Sequence, residues 1–393
     1  MNPTGVDAAS ARPIHVLTLT PFYPSENDDA TGCFVAEPLQ WVTRNIAHTV
    51  YAVRPFYRRK LRARASGVPA IWIRYFSLPG GFGLPTAGAF LFASVVARVR
   101  ELHRIKPIDV IHAHAPLPCG HAAMLLSVEL GLPYVVSVHG LDVFSTTQVG
   151  GRAGNWCRRI SERTYRMSRR VICVSEHIRQ QVLEGAARVC RTSVVYNGVD
   201  PHLFTPANEP DAADPLVLTV GNLIPIKGHD LLIRAAASLA GEFPRITLEI
   251  IGEGAERARL QALTKSLNIA ERVRFLGRQS REQVAAAMRR STVFALPSRY
   301  EGLGCVYLEA MAAGKPVIGC RGQGIAEIIQ HGANGFLVGP DNEKELALAL
   351  AMLLRDPTRR RNLGAAARDT ILDRLTLTHQ AESLARIYRE CAA

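Results

Sequence analysis

Short runs of β-branched and aliphatic residues recur along the chain, spaced by segments whose apolar positions return every three or four residues. Ile14 to Leu19 is the first run, and Thr49 to Val53, Val110 to His112, Tyr134 to Val138 and Val171 to Val174 follow. A second series starts at Leu216 to Val220 and continues with Ile246 to Ile251, Val273 to Leu276, Val293 to Leu296 and Val317 to Gly319. Runs this short and this apolar read as strands, and the helical spacing between several of them reads as crossover helices. Such alternation builds parallel sheets covered by helices. Between the series lies Asn208 to Pro215, rich in proline and acidic residues, a linker by composition. The pattern predicts an α/β chain of two doubly wound, Rossmann-like domains, 1–206 and 207–375, facing across a cleft and followed by a last helical segment, 376–393. Ligands are expected at the carboxyl ends of the strands.

Length agrees with two domains, since 393 residues exceed what one hydrophobic core ordinarily serves. Hydrophobic residues at 48% and charged residues at 21% exclude a disordered or low-complexity chain. The longest apolar stretch, Ala87 to Ala97, falls short of the roughly 18 residues of a membrane span. Met1 to Pro13 lacks the basic start and apolar core of a secretory signal, so the cytoplasm is the expected compartment. The eight cysteines form no Cys-x-x-Cys pair and are expected as buried free thiols. Charge is uneven: residues 1–205 hold 23 Lys/Arg against 13 Asp/Glu, and residues 206–393 hold 24 against 21. The first half, at +10, is expected to face something anionic.

Chemistry concentrates between Val293 and Cys320. A strand leads into Ser298-Arg299-Tyr300-Glu301-Gly302-Leu303-Gly304, and a helical run follows as far as Gly314. Strand, glycine-bearing loop and helix in that order aim free N–H groups and the positive end of a helix dipole at whatever sits over Gly302, Leu303 and Gly304, which favours a phosphate. Glu301 stands at the mouth of this cradle and Glu309 further along. A fully helical segment would hold the two about 12 Å apart along its axis, too far for the pair of carboxyls in a glycosidase, which lie about 5 to 9.5 Å apart. Two readings remain: hydroxyl acceptors at the two ends of one long ligand with a central diphosphate, or solvated glutamates on a surface helix.

Other segments offer single candidates. Lys227 lies in the turn Gly221-Asn222-Leu223-Ile224-Pro225-Ile226-Lys227-Gly228 after a strand, a point charge suited to a phosphate oxygen. His139 lies just past the strand Tyr134 to Val138, in His139-Gly140-Leu141-Asp142, pointing into the expected cleft. His112 and His114 read as strand-end packing and cleft lining, without a third ligand for a metal. Gly252-Glu253-Gly254 lacks the third glycine of a dinucleotide fingerprint and reads as a tight turn.

Glu301-Gly-Leu-Gly-Cys-Val-Tyr-Leu-Glu309, followed by Ala310-Met311-Ala312-Ala313-Gly314-Lys315-Pro316, resembles the Glu-seven-residues-Glu signature of retaining glycosyltransferases with the GT-B fold, and most closely those of family four. The segments around Gly32, His139 and Lys227 resemble further motifs of that family, in the same order. The resemblance implies transfer of a hexose from a UDP- or GDP-sugar to a hydroxyl of a glycan or lipid-linked acceptor, with retention, in cell-surface polysaccharide or glycolipid synthesis. It implies that Glu301 and His139 hold the donor sugar, Glu309 the ribose and Lys227 the diphosphate, and that the last helix, roughly Leu375 to Glu390, crosses back to the first domain. Gly32, in the turn after the first strand, would let the backbone approach donor phosphates or acceptor closely. A helping arginine stands in the resembled family where this chain has Asn222 or Ile226, which leaves Arg299 as a candidate substitute. Gly277 and Arg278 are expected beside the base. No Asp-x-Asp is found at a strand end, so neither a cofactor nor a metal is expected.

Arg54 to Arg64 holds six Lys/Arg positions together with Phe56 and Tyr57, and Trp72, Tyr75 and Phe76 follow. Cations among aromatics suit an anionic membrane surface, and nucleic acid would attract them too. Enzymes of the resembled family often glycosylate lipid-linked acceptors, so a peripheral place on the inner face of the cell membrane is expected, and no nucleic acid. The alternatives are a nucleotide-sugar epimerase or hydrolase on the same fold, and a non-catalytic nucleotide-sugar or nucleic-acid binding module.

Overall fold

The computed structural model describes residues 12–26, 28–42, 45–59, 61, 67–144, 149–185, 191–207 and 214–393. Two wholly parallel sheets organise the chain. The first comprises β1 (Ile14–Thr20), β2 (Ile46–Pro55), β3 (Ala70–Tyr75), β4 (Val110–His114), β5 (Tyr134–Val138), β6 (Arg170–Cys173) and β7 (Thr192–Val194), in the order β3-β2-β1-β4-β5-β6-β7. The second comprises β8 (Leu216–Val220), β9 (Thr247–Ile251), β10 (Val273–Gly277), β11 (Val293–Ala295), β12 (Val317–Cys320) and β13 (Phe336–Val338), in the order β10-β9-β8-β11-β12-β13. In each sheet the winding reverses beside the first strand, between β1 and β4 and between β8 and β11. Such reversals leave a crevice at the carboxyl ends of the strands.

Central strands are legible because helices cover both of their faces. Val16, Leu17, Val110, Ile111, Val135 and Val136 are all fully buried, and such strands read as unbroken apolar runs. Three strands escaped the periodicity, and all three are sheet edges: β3, β7 and β13. β3 places exposed Ile71 and Arg74 between its more covered residues, β7 is only half-buried, and β13 is three residues long. An edge strand has one neighbour, so less of its sequence need be apolar. Trp72 and Tyr75, read from the sequence as surface aromatics, belong to β3 instead, and Tyr75 is buried. The helix Leu84–Ile105 extends well beyond Ala87 to Ala97. Among the described residues, the span Gly81–Ile105 is the one helix long and apolar enough to cross a membrane, yet Leu91, Val95 and Val99 are fully buried in the core of the first sheet.

Residues 208–213 of the expected linker, and Lys60, Arg62 and Arg64 of the basic segment, lie outside the described residues. The last helix, Leu377–Ala392, lies against the first sheet, where Leu384, Ala385, Ile387 and Tyr388 pack on Val16, Val110, Val135 and Ile172. The outgoing and returning segments meet: Val199 N–H donates to the Leu375 carbonyl at 3.0 Å, and Leu377 N–H donates to the Val199 carbonyl at 3.1 Å.

Candidate active site

Two turns of the second sheet converge because their strands are neighbours at the reversal. Lys227 follows β8, Glu301 follows β11, and Val293 of β11 pairs with Val217 of β8. The Lys227 ammonium donates to the Glu301 carboxylate, and both side chains are largely covered. The loop carrying Glu301 is held from below. Glu301 N–H donates to Gln323 Oε1 at 2.8 Å, Gln323 Nε2 donates to the Arg299 carbonyl at 3.0 Å, and Ser298 Oγ lies 3.4 Å from the Glu301 carboxylate.

Past Glu301 the chain turns through Gly302, buried Leu303 and Gly304 into the helix Cys305–Ala312. Gly304, at φ 83°, is the residue before the first helical turn and supplies no side-chain cap, so the first N–H groups of that turn lack an intrahelical or capping partner. Against this loop rests the end of β5. A β-carbon at Gly302 would collide with the His139 carbonyl oxygen, so only glycine admits this approach between the domains. Ser175 Oγ also donates to the Gly302 carbonyl, at 2.6 Å.

His139 is steered by Asp142, whose Oδ1 accepts the N–H of His139 at 2.9 Å and of Gly140 at 2.7 Å. Burial pushes the Asp142 carboxyl up to about 6, against the lowering effect of these bonds. The His139 ring stacks on His114, with Nε2 to His114 Nδ1 at 3.0 Å, while its buried Nδ1 has no protein partner. Burial holds the His139 imidazole down to about 3, so it is neutral near pH 7.

The remaining expected residues occupy other surroundings. Asn222 is exposed, and its carbonyl accepts from His229 Nε2 at 3.3 Å. Arg299 is tied to Asp341 at 2.6 Å, to Asp230 at 3.1 Å and to the Pro225 carbonyl at 2.5 Å, so it braces the Lys227 turn and presents a guanidinium already engaged. Arg278 reaches across to Asp28 and, at 3.4 Å, to Thr31 of the first domain. Gly32 caps the helix Cys33–Trp41 at φ 78°, and the backbone that crowds its α-carbon is the chain's own Phe22–Tyr23 peptide. Glu309 is buried and accepts from Arg281 Nη1, while Arg281 Nη2 donates to Glu37 of the first domain at 3.0 Å. Burial, opposed by Arg281, drives the Glu37 carboxyl up to about 7. Among the described residues no group of metal-ligating side chains gathers.

Sequence models agree with this architecture: one for Glycosyltransferase Family 4 matches residues 13–203 and one for Glycosyl transferases group 1 matches 204–370. A D-inositol 3-phosphate glycosyltransferase of Stackebrandtia nassauensis is 31% identical over 320 residues, 76% of this chain and 71% of that protein. The chain belongs to the family-4 glycosyltransferases. An uncharacterised glycosyltransferase of Methanocaldococcus jannaschii is 33% identical over 258 residues, 65% of this chain and 68% of that one. Among solved structures, a sucrose-phosphate synthase from Thermosynechococcus elongatus superimposes with a TM-score of 0.77 at 21% identity, covering 96% of this chain and 98% of that one. Anabaena HepE in complex with UDP-glucose does so with a TM-score of 0.75 at 21% identity, covering 96% and 100%. The two facing parallel-sheet domains are thus the GT-B fold.

Several residues of this glycosyltransferase that shape the cleft carry no local signal. Arg281 lies one residue past the Ser280 cap of its helix, where nothing marks a bridge between domains. Glu327 accepts from the N–H groups of Glu176 at 2.8 Å and His177 at 2.6 Å, and from Tyr196 Oη at 2.9 Å, so a second-domain carboxylate caps a first-domain helix. Gln323 could have been suspected only from its nearness to Gly322 and Gly324.

Proposed function

We propose that this glycosyltransferase moves a hexose from a UDP- or GDP-sugar to a hydroxyl of a glycan or lipid-linked acceptor, with retention and without a metal. The observation that carries the reading is the contact of Lys227 with Glu301 at the carboxyl ends of the two strands flanking the reversal, beside the His139 strand end. In this reading Lys227 and the N–H groups at Gly302 to Gly304 take the diphosphate, a preorganised stabilisation of leaving-group charge. Glu301 accepts from sugar hydroxyls. The unpartnered Nδ1 of His139 offers a neutral imidazole a hydrogen bond to the same sugar. Glu309 takes the ribose hydroxyls once Arg281 shares or releases it. The bond from the anomeric carbon to the diphosphate oxygen breaks with its electron pair on phosphate. The acceptor oxygen bonds to that carbon on the same face, and its proton passes to the departing phosphate.

Peripheral attachment to an anionic membrane, with a cytoplasmic location and a role in cell-surface polysaccharide or glycolipid synthesis, belongs to the same reading. Its support is an exposed aromatic face beside Arg54, Arg58 and Arg59: Phe56 stacks on Phe76 at 5.3 Å, and Phe76 meets Phe90 at 4.9 Å.

Thermal unfolding with UDP- and GDP-sugars tests the donor, with UDP-sugars first because HepE was solved with UDP-glucose. A donor at about 100 times its dissociation constant should stabilise the fold by about 2.7 kcal/mol. Glu301→Ala and Lys227→Ala should each lose most transfer while remaining folded. Wild-type activity in both variants would sink the assignment.

A further inference from the structure

A cavity of about 640 Å³ opens between the domains. Gly140, Leu141, Val143 and Phe144 wall it from the first domain, and Ile226 and Tyr300 wall it from the second. Three of these residues are chain neighbours of the candidate catalytic groups. Gly140 follows His139, Ile226 precedes Lys227, and Tyr300 precedes Glu301. The cavity therefore opens on the place where the transferred sugar would lie.

Its wall is apolar and fixed. The Phe144 ring rests on Tyr165 at 5.8 Å and against the bare α-carbon of Gly185, where a β-carbon would collide with it. Arg158 lies over the same ring at 5.2 Å, with its charge paired to Glu162 at 2.9 Å. Tyr300 donates its hydroxyl to Gln181 Oε1 at 3.1 Å, which leaves its ring as wall. Leu141 is exposed into this space. The polar side chains lining the space, Arg158, Gln181 and Glu184, include two already engaged by neighbours. The side chains of Leu141, Val143, Phe144, Ile226 and Tyr300 make up the rest of the wall around two glycines, a largely apolar surface that suits hydrocarbon.

We propose that the cavity receives an alkyl or isoprenoid chain of the acceptor, adjoining the hydroxyl that is glycosylated. This rests on the transferase reading and names its acceptor class. The chain lies against Leu141, Val143, Phe144, Ile226 and Tyr300, and the hydroxyl is presented at the His139 and Glu301 edge.

Monomeric methyl, butyl and octyl β-glucosides, titrated into the UDP-saturated protein and followed by ligand-observed NMR, test the assignment. Each fully buried methylene is worth about fourfold in affinity, so octyl glucoside should bind at least about thirtyfold more tightly than methyl glucoside. Leu141→Asp changes an exposed residue, and Gly185→Leu pushes Phe144 into the space. Each should remove about tenfold or more of that preference with UDP affinity unchanged. Equal binding of all three glucosides overturns the proposal, as does a chain-length preference that survives in a folded Leu141→Asp variant. UDP and GDP affinities measured on the same samples separate the two levels: nucleotide binding without chain preference removes the cavity assignment alone, and no nucleotide binding removes the transferase reading beneath it.

Discussion

His112, His114 and His139 form a buried column, with ring centroids 4.3 Å apart for the first pair and 5.2 Å for the second. His112 is further held by Tyr388 Oη at 2.6 Å and Ser137 Oγ at 2.7 Å. Burial, reinforced by the neighbouring imidazoles, keeps His112 down to about 3 and His114 well below the ordinary histidine value. An unfolded chain protonates each near about 6.5, whereas the native column takes up protons only at much lower pH, so the unfolded state binds more protons in between. Stability should therefore fall as pH drops from 6.5 toward 3, by about 1.4 kcal/mol per pH unit for each such histidine. Glu37 and Asp142, raised to about 7 and about 6, act in the opposite direction, since the native state protonates them first. The prediction is a denaturant midpoint lower at pH 5 than at pH 7, with a shallower pH slope in His112→Gln, measured by urea unfolding. An unchanged slope would count against the neutral column. The sequence pointed to these histidines one at a time; alternation along β4 sets His112 and His114 on one face, and the neighbouring β5 adds His139.

At the level of elements, Lys227 and Glu301 were each legible in a strand-to-helix turn, but their contact depends on β8 lying beside β11, where Leu216 N–H donates to Thr292 Oγ1, 76 residues later, at 3.0 Å. The basic and aromatic segment was half legible. Strand pairing of Pro55 with Tyr75 sets the ends of β2 and β3 side by side, so that Phe56 and Phe76, the residues that follow, stack in the open. Leu78 and Phe82, the latter 83% exposed, follow Phe76 in the chain as further exposed apolar side chains. Leaving a phenylalanine in water rather than burying it costs about 1.5 to 3 kcal/mol, a tenfold effect or more on partitioning. Replacing Phe76 and Phe82 together by serine should therefore cut sedimentation with phosphatidylglycerol vesicles at least tenfold, and Arg58→Glu should weaken it most at low salt. Binding of UDP should be unaffected, and vesicle binding equal to wild type would remove the membrane face.

At the level of the whole molecule, closure brings together groups from both domains. Arg281 spans Glu309 and Glu37, Glu327 caps the helix Glu176–Gly185, and Gly302 admits the His139 carbonyl. Gly302→Ala places a methyl group where that carbonyl sits. We expect both domains to remain folded, the radius of gyration from X-ray scattering to rise, and transfer to fall by more than tenfold, because His139 can no longer approach the Glu301–Gly304 loop. Unchanged scattering together with unchanged turnover would show that the approach is dispensable.

The sequence by itself determined the two-domain α/β organisation, the central strands and the motif positions of His139, Lys227 and Glu301. It could do so because buried parallel strands and glycine-bearing strand-to-helix turns are specified by neighbours in the chain. Tertiary structure alone decided that Arg299 is braced by Asp230 and Asp341, that Glu309 faces Arg281, and that a largely apolar cavity lies between Gly140 and Phe144 of the first domain and Ile226 and Tyr300 of the second. Those outcomes depend on which charges and surfaces meet after two sheets have folded and closed on each other, and no local spacing encodes that meeting.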